Sequence, residues 1–300
     1  MAWASAPTGQ PGPLRHAAAT LRMTPDLRTL LARPDLADER LEGLVRADRF
    51  AAVQPRRCVQ PTAGLFKARD EAGERQDELL FGEGFDVLEM EGGWAWGQAR
   101  RDGYVGFVRA EALAPAGEAP THRVQALRTC GFARPDLKSP LIALVSMNGL
   151  VRAGEARDGY VDAGEAGWIH GSHLAPIGLF ETDFVSVAER YLGAPYLWGG
   201  RSSLGLDCSG LVQLALQAAG RACPRDADQQ LAAFADAGTR EDLGRGDLVV
   251  WKGHIGVMLD GERLLHANAH HMSVAIEPAD EAIARIRDKT GAVPVGFRRP

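Results

Sequence analysis

At 300 residues the chain exceeds the usual span of one hydrophobic core, so two or three domains are expected. Its content of 45% hydrophobic and 24% charged residues is that of a soluble globular protein. A formal net charge of −5 offers no long-range attraction for nucleic acid or an anionic membrane surface, and no stretch approaches the roughly 18 consecutive apolar residues of a membrane span, so neither is an expected partner.

Residues 1–50 read as an N-terminal arm. Residues 1–24 are rich in Ala, Pro and Gly and suit a flexible lead-in. Met1 to Thr20 carries one Arg, one His and three prolines without an apolar block, so no secretory signal is expected; with Met1 as the start, the expected location is the cytoplasm. From Pro25 to Phe50, Leu27, Leu30, Leu31, Leu36, Leu41, Leu44 and Val45 recur at helical spacing, interrupted by Pro34. This predicts two short helices or an arm packed on a neighbour.

From residue 51 to 177, Val, Leu, Phe and Trp fall in short runs broken by Gly, Asp and Pro, the pattern of small all-β units. Two segments repeat. Asp102-Gly103-Tyr104-Val105 returns as Asp158-Gly159-Tyr160-Val161, and Leu113-Ala114-Pro115 returns as Leu174-Ala175-Pro176. Each Asp-Gly lies between apolar runs, as a tight hairpin turn would. The repeat predicts two copies of one small β-barrel, at 51–116 and 121–177. The run from Phe85 to Leu113, with Gly92-Gly93-Trp94, resembles bacterial SH3-like domains. The second copy is more diverged, with Gly164-Glu165-Ala166-Gly167-Trp168 inserted after its Asp-Gly-Tyr-Val.

Residues 183–300 change pattern again. Phe184 to Leu192 reads as a helix, and Leu211 to Ala219 as a second, apolar one ended by Gly. Strands are expected at Leu248–Trp251, Ile255–Leu259, Leu264–Ala267 and Ser273–Ile276, with a hairpin turn at Asp260-Gly261. The expected fold is an α+β domain, helices first and an antiparallel sheet after, behind the two barrels.

The four cysteines, Cys58, Cys130, Cys208 and Cys223, have no CxxC spacing, and scattered cysteines in an intracellular chain of this size are usually thiols. Cys208 stands directly before the helix expected at Leu211. Unpaired amides and the positive end of a helix dipole there favour a thiolate, below the free value of about 8.5. The alternative is a small buried hydrophobe, the preferred reading for the other three. His254 lies between glycines at the entrance to a strand. A histidine of near-neutral pKa can take the thiol proton and return it to a leaving amine. A hairpin centred on Asp260-Gly261 brings His266 alongside His254, the third member of a triad. Singly, each histidine reads as a surface or core residue; the three residues in this order, each on a suitable element, favour catalysis. A zinc reading of His266, His270 and His271 lacks a helix at that spacing and a cysteine or acid to complete the set, so neither metal nor other cofactor enters the expected chemistry. Tyr196 and Trp198, beside Gly199-Gly200, either belong to the core or wall a cleft, with the Tyr196 hydroxyl donating to a developing oxyanion.

Six motifs stand in one order: Pro195-Tyr196-Leu197-Trp198-Gly199-Gly200, Asp207-Cys208-Ser209-Gly210, Pro224-Arg225-Asp226, Gly246-Asp247-Leu248, Gly253-His254-Ile255-Gly256-Val257 and Leu265-His266-Ala267. Over about residues 183–300 they resemble the NlpC/p60 family of papain-like cell-wall peptidases. The resemblance implies Cys208 as nucleophile, His254 as base, His266 as the third member and Tyr196 at the oxyanion. With an arm and two SH3-like barrels in front, the layout resembles the γ-D-glutamyl-L-diamino acid endopeptidases known as dipeptidyl-peptidase VI. That implies cleavage after D-Glu in murein-derived peptides that begin with a free L-Ala-γ-D-Glu and continue with a diamino acid, as in peptidoglycan recycling. In that subgroup the first barrel helps recognise the free amino terminus. A buried ammonium needs a carboxylate partner, and the implied subsite draws on Asp207, Ser209, Asp226, Trp198, Tyr104 and Glu83, with Glu78 as the alternative to Glu83. Two other functions are weighed. A wall-fragment binding protein with an idle peptidase domain is disfavoured because Cys208 and His254 are both present; a general endopeptidase acting on intact peptidoglycan keeps the same chemistry. Neither the preferred diamino acid nor the oligomeric state is read from the sequence.

Overall fold

A computed structural model of the chain describes residues 26–300, and the lead-in at 1–24 lies outside the described residues. No α-helix forms in the described part of the arm. In place of the expected short helices are turns, one 3-10 turn at Glu39–Leu41, and a parallel pair of Ala37–Asp38 with Phe50–Ala51. Pro34 cuts the apolar stripe, and Leu31 and Leu36 pack instead against Leu88 and Trp96 of the barrel that follows. The arm is thus packed on a neighbour.

The first barrel is a seven-stranded antiparallel sheet in the order Arg75–Leu80, Thr62–Phe66, Val105–Arg109, Trp94–Ala99, Gly84–Glu91, Gln54–Cys58, Leu113–Pro115. Burial alternates along Thr62–Phe66 and Val105–Arg109 as the side-chain period of two requires, whereas Arg75–Leu80 and Trp94–Ala99 are buried on both faces over four consecutive residues. The second barrel splits into a five-stranded and a three-stranded sheet. Its Asp158-Gly159 turn has φ of 51° and 81° between strands paired at Arg157 and Tyr160, the two-residue hairpin whose central residues must both be left-handed. In each barrel a 3-10 turn, Ala110–Ala112 or Gly171–His173, leads into the Leu-Ala-Pro strand, so the sequence repeat is a structural one.

The C-terminal domain carries helices α1 (Phe184–Glu189), α2 (Cys208–Ala218), α3 (Ala227–Ala233) and α4 (Ala279–Thr290). Its antiparallel sheet runs Ala235–Asp236, Gly296–Arg299, Leu248–Trp251, His254–Met258, Arg263–Asn268, Ser273–Pro278. Helix α2 packs against the two histidine-bearing strands. Helices α3 and α4 and the strand Gly296–Arg299 were not legible as periodic runs: α3 is short, α4 is rich in charged residues of both signs, and the strand ends in two arginines.

All three units meet. Leu80 of the first barrel and Met147 of the second enter the core built on α2. Asn148 Nδ2 donates to Leu214 O of α2 at 2.9 Å, and the Ser146 and Ser203 hydroxyls lie 2.9 Å apart. Between the barrels, Leu150 N donates to Phe81 O at 2.7 Å. Gly82 sits at this joint with φ +77°, and a Cβ there would stand 2.0 Å from Leu150 O. Gly82→Ala is therefore expected to cost more than the ~1–3 kcal/mol of backbone strain alone, read as a lowered urea midpoint; an unchanged midpoint would show that the barrels do not approach this closely.

Candidate active site

Asp207 caps α2. Its carboxylate accepts Gly210 N at 2.8 Å and Gly199 N at 2.9 Å, fixing the first turn that carries Cys208. Arg225 holds the same carboxylate from behind, at 2.9 and 2.6 Å, while its Nε reaches Asp77 of the first barrel at 2.7 Å. Cys208 follows as the first helical residue and is buried.

Burial opposes the thiolate that the helix start favours. Burial, with the Asp207 carboxylate beside it, pushes the Cys208 thiol up to about 12, against the pull of backbone hydrogen bonds from Ile255 and Ser209. Burial, with His266 next to it, lowers His254 to about 3. Both shifts disfavour the charged forms, against the pull of the helix end on the thiol.

His254 Nε2 lies 2.8 Å from His266 Nδ1, as the hairpin predicted. Gly256 makes the approach possible: a Cβ there would stand 3.0 Å from the His266 Cβ. The relay continues to residues the sequence reading missed. His266 Nε2 lies 2.7 Å from Glu277 Oε1, and Arg285 hydrogen-bonds the same oxygen. Burial opposes the Glu277 charge, but the donors His266 and Arg285 outweigh it and hold the carboxyl at about 2. An ionised carboxylate only accepts, so His266 Nε2 carries a proton. In the tautomer in which His266 Nδ1 accepts from His254 Nε2, the His254 lone pair lies on Nδ1, available as a base. One signal was available. Glu277 is the lone charged residue of Ser273–Pro278, on the strand that pairs His266 with Ala275.

Glu277 also supplies the acid missing from the zinc reading: His266, His271 and Glu277 offer ligand atoms within 4.8 Å of one another. Both ring nitrogens of His266 are engaged in the relay, however, and Glu277 is paired with Arg285, so the arrangement serves the histidines.

Tyr196 is half-buried, and burial, with Cys208 and the Asp207 carboxylate nearby, raises its phenol, keeping it a donor. Trp198 is exposed, its Nε1 donating to Glu74 of the first barrel at 3.0 Å. Tyr104 and Asp226 come together across the domain boundary, the Tyr104 hydroxyl donating to Asp226 Oδ2 at 3.1 Å. Three implied subsite residues are placed otherwise. Asp207 spends its oxygens on the α2 cap and Arg225, and Ser209 Oγ donates to Asp207 and accepts from Arg225. Glu83 accepts from Arg201, Arg101 and Leu80 N, and the alternative Glu78 from Arg201 N and Arg75. All four are buried. Their lone pairs satisfy internal donors, which is what burying a carboxylate demands.

Residues 193–288, which include Cys208, His254 and His266, match the NlpC/P60 family. The chain carries an NlpC/P60 peptidase domain. Residues 65–113 match the bacterial dipeptidyl-peptidase SH3 domain, so the first barrel in front of the peptidase is of that type. A dipeptidyl-peptidase 6 of Lysinibacillus sphaericus is 26% identical over 244 residues, 73% of this chain and 89% of that protein. A γ-D-glutamyl-L-lysine dipeptidyl-peptidase of Bacillus subtilis is 36% identical over 110 residues, but the match spans only 34% of this chain and 36% of that protein. In structure, an NlpC/P60 family protein from Bacillus cereus aligns with TM-score 0.68 at 19% identity, over 82% of this chain and 99% of the other, a likeness of fold across barrels and peptidase together.

Two outcomes follow from the relay. Glu277→Ala removes the acceptor that sets the His266 tautomer, and peptidase turnover is expected to fall about 10²-fold, within the range of general acid–base catalysis; wild-type turnover would end the relay at His266. The unfolded His254 imidazole takes up a proton near 6.5 while the folded one waits until about 3. The unfolded chain thus binds more protons between those values, and stability falls as pH is lowered through that window. His254→Gln is expected to flatten this part of the melting-temperature profile; parallel profiles would show that His254 is not buried as the neutral ring.

Proposed function

We propose that this NlpC/P60 peptidase hydrolyses the amide between γ-D-Glu and a diamino acid in murein-derived peptides that begin with a free L-Ala, releasing L-Ala-D-Glu, in the recycling of wall peptides. The observation that carries the reading is the Tyr104–Asp226 pair, at 3.1 Å, which joins the first barrel to the peptidase. Asp226 follows Arg225, whose guanidinium bonds Asp207 and Ser209 on either side of Cys208. A carboxylate and a phenol close to the nucleophile form a fitting terminus for a short peptide bearing an ammonium. The names of the relatives, dipeptidyl-peptidase 6 and γ-D-glutamyl-L-lysine dipeptidyl-peptidase, support a two-residue product.

In this reading His254 Nδ1 takes the Cys208 proton as Sγ attacks the γ-carbonyl carbon of D-Glu. The Tyr196 hydroxyl donates to the oxygen that becomes negative. Collapse breaks the C–N bond, and the proton on His254 passes to the departing amine of the diamino acid, leaving a thioester on Cys208. Water, deprotonated by His254, then attacks the thioester and releases the dipeptide with the thiol restored. His266 and Glu277 hold the His254 ring and stabilise its cation. Trp198, exposed and tied to Glu74, walls the groove. Cytoplasmic action is part of the proposal; the four cysteines are free thiols, the state a reducing compartment maintains and a thiol nucleophile needs.

The test is incubation with L-Ala-γ-D-Glu-meso-diaminopimelate, its lysine counterpart and their N-acetylated twins, with products read by mass spectrometry. L-Ala-D-Glu is expected from the free peptides only, and no product from Cys208→Ala or His254→Ala. Equal cleavage of acetylated peptides would replace the proposal with a general endopeptidase.

A further inference from the structure

We propose that Arg28 of the N-terminal arm is a positioning residue of the amino-terminus subsite, holding Asp226 where it receives a free ammonium, so that the arm is a working part of the site. The inference rests on the assignment of Asp226 made under the proposed function.

The arm reaches the subsite by its backbone. Val105 N donates to Arg28 O at 2.7 Å, one residue from Tyr104, and Gln98 Nε2 donates to Thr29 O at 2.9 Å. From this anchored backbone the Arg28 side chain crosses to the peptidase. Its Nη1 donates to Asp226 Oδ2 at 2.8 Å, the oxygen that also accepts the Tyr104 hydroxyl. Asp226 also stands at the start of α3, its backbone N–H donating to Gln229 Oε1 at 3.1 Å. An ionised carboxylate has about four lone-pair positions. Two donors of known place, Arg28 Nη1 and the Tyr104 hydroxyl, meet on Oδ2, which fixes the rotamer and leaves acceptor positions for a further donor.

Arg28 is a fixture. One fork of its guanidinium grips Asp228 at 2.8 and 2.7 Å, and another grips Asp26 at 3.0 and 2.7 Å; Gln229 Nε2 ties Asp26 to α3 at 2.9 Å. A guanidinium held in two bidentate pairs does not yield its place to an incoming ammonium without breaking both. Three carboxylates meet this one guanidinium, with Arg225 as a further cation near Asp226. Burial raises the Asp226 carboxyl above its ordinary range, and Arg225 and Arg28 offset this only in part.

Steady-state kinetics of Arg28→Ala, Asp226→Ala and the double variant, on L-Ala-γ-D-Glu-meso-diaminopimelate and its N-acetylated twin, tests this. Arg28→Ala is expected to raise KM for the free peptide about tenfold, the worth of one charge-assisted hydrogen bond, with kcat within about twofold. The double variant is expected to be no worse than Asp226→Ala alone. Arg28→Lys, which keeps the charge but cannot hold both forks, is expected to fall between wild type and Arg28→Ala, and serves if the alanine variant does not fold. Losses that multiply in the double variant, an equal fall in kcat on both peptides, or wild-type KM in Arg28→Lys and Arg28→Ala would each overturn the role of Arg28. If Asp226→Ala hurts the free peptide selectively and Arg28→Ala does not, only the role of Arg28 falls. If Asp226→Ala treats both peptides alike, the subsite assignment falls and this inference with it.

Discussion

One buried guanidinium, that of Arg225, holds the site together. It is shared between Asp77, fully buried in a strand of the first barrel, and Asp207, the cap of the nucleophile helix. Taking three charges out of water is unfavourable unless every donor and lone pair is matched, and loss of one partner from such a set costs about 3–5 kcal/mol. Here the matching is complete enough to be structural. Arg101 takes the second oxygen of Asp77, and Arg201 and Glu83 form a parallel bridge beside it. The geometry of Cys208 is thus decided partly outside the peptidase domain. A barrel strand orients an arginine, the arginine orients a carboxylate, and the carboxylate orients the amides of the helix on which the thiol sits.

The same economy of charge governs the chemistry. Burial disfavours charge on both Cys208 and His254, and the Glu277–Arg285 pair lies beyond the His266 ring. A cation that forms on His254 during turnover meets the His266 ring first and the Glu277 carboxylate behind it.

Much of this was legible in the sequence wherever the signal was local. Asp207-Cys208-Ser209-Gly210 ahead of an apolar run places a thiol at a helix start, and Asp260-Gly261 fixes the hairpin that brings His266 to His254. The duplicated Asp-Gly-Tyr-Val and Leu-Ala-Pro segments mark the two barrels. What escaped depends on partners distant along the chain. Arg225 meets Asp77 across 148 positions and Arg201 meets Glu83 across 118, so Asp207, Ser209 and Glu83 looked available for a ligand while their lone pairs were committed elsewhere. The direction of the Cys208 shift was also out of reach, because a helix end is visible in sequence and the depth of burial is not. In the arm, leucine spacing suggested helices, but Pro34 and the apolar surface of Trp96 decided otherwise.

The interlocking of barrel and peptidase also bears on how the chain is made. Synthesis delivers the barrels first, with Asp77 and Glu83 lacking their arginines and Leu80 and Met147 without the core they enter. Until residues 201–225 have emerged and docked, this surface is unfinished, and the thiol has no supported helix beneath it. The helix that carries the thiol is thus fully supported only once barrel and peptidase have met.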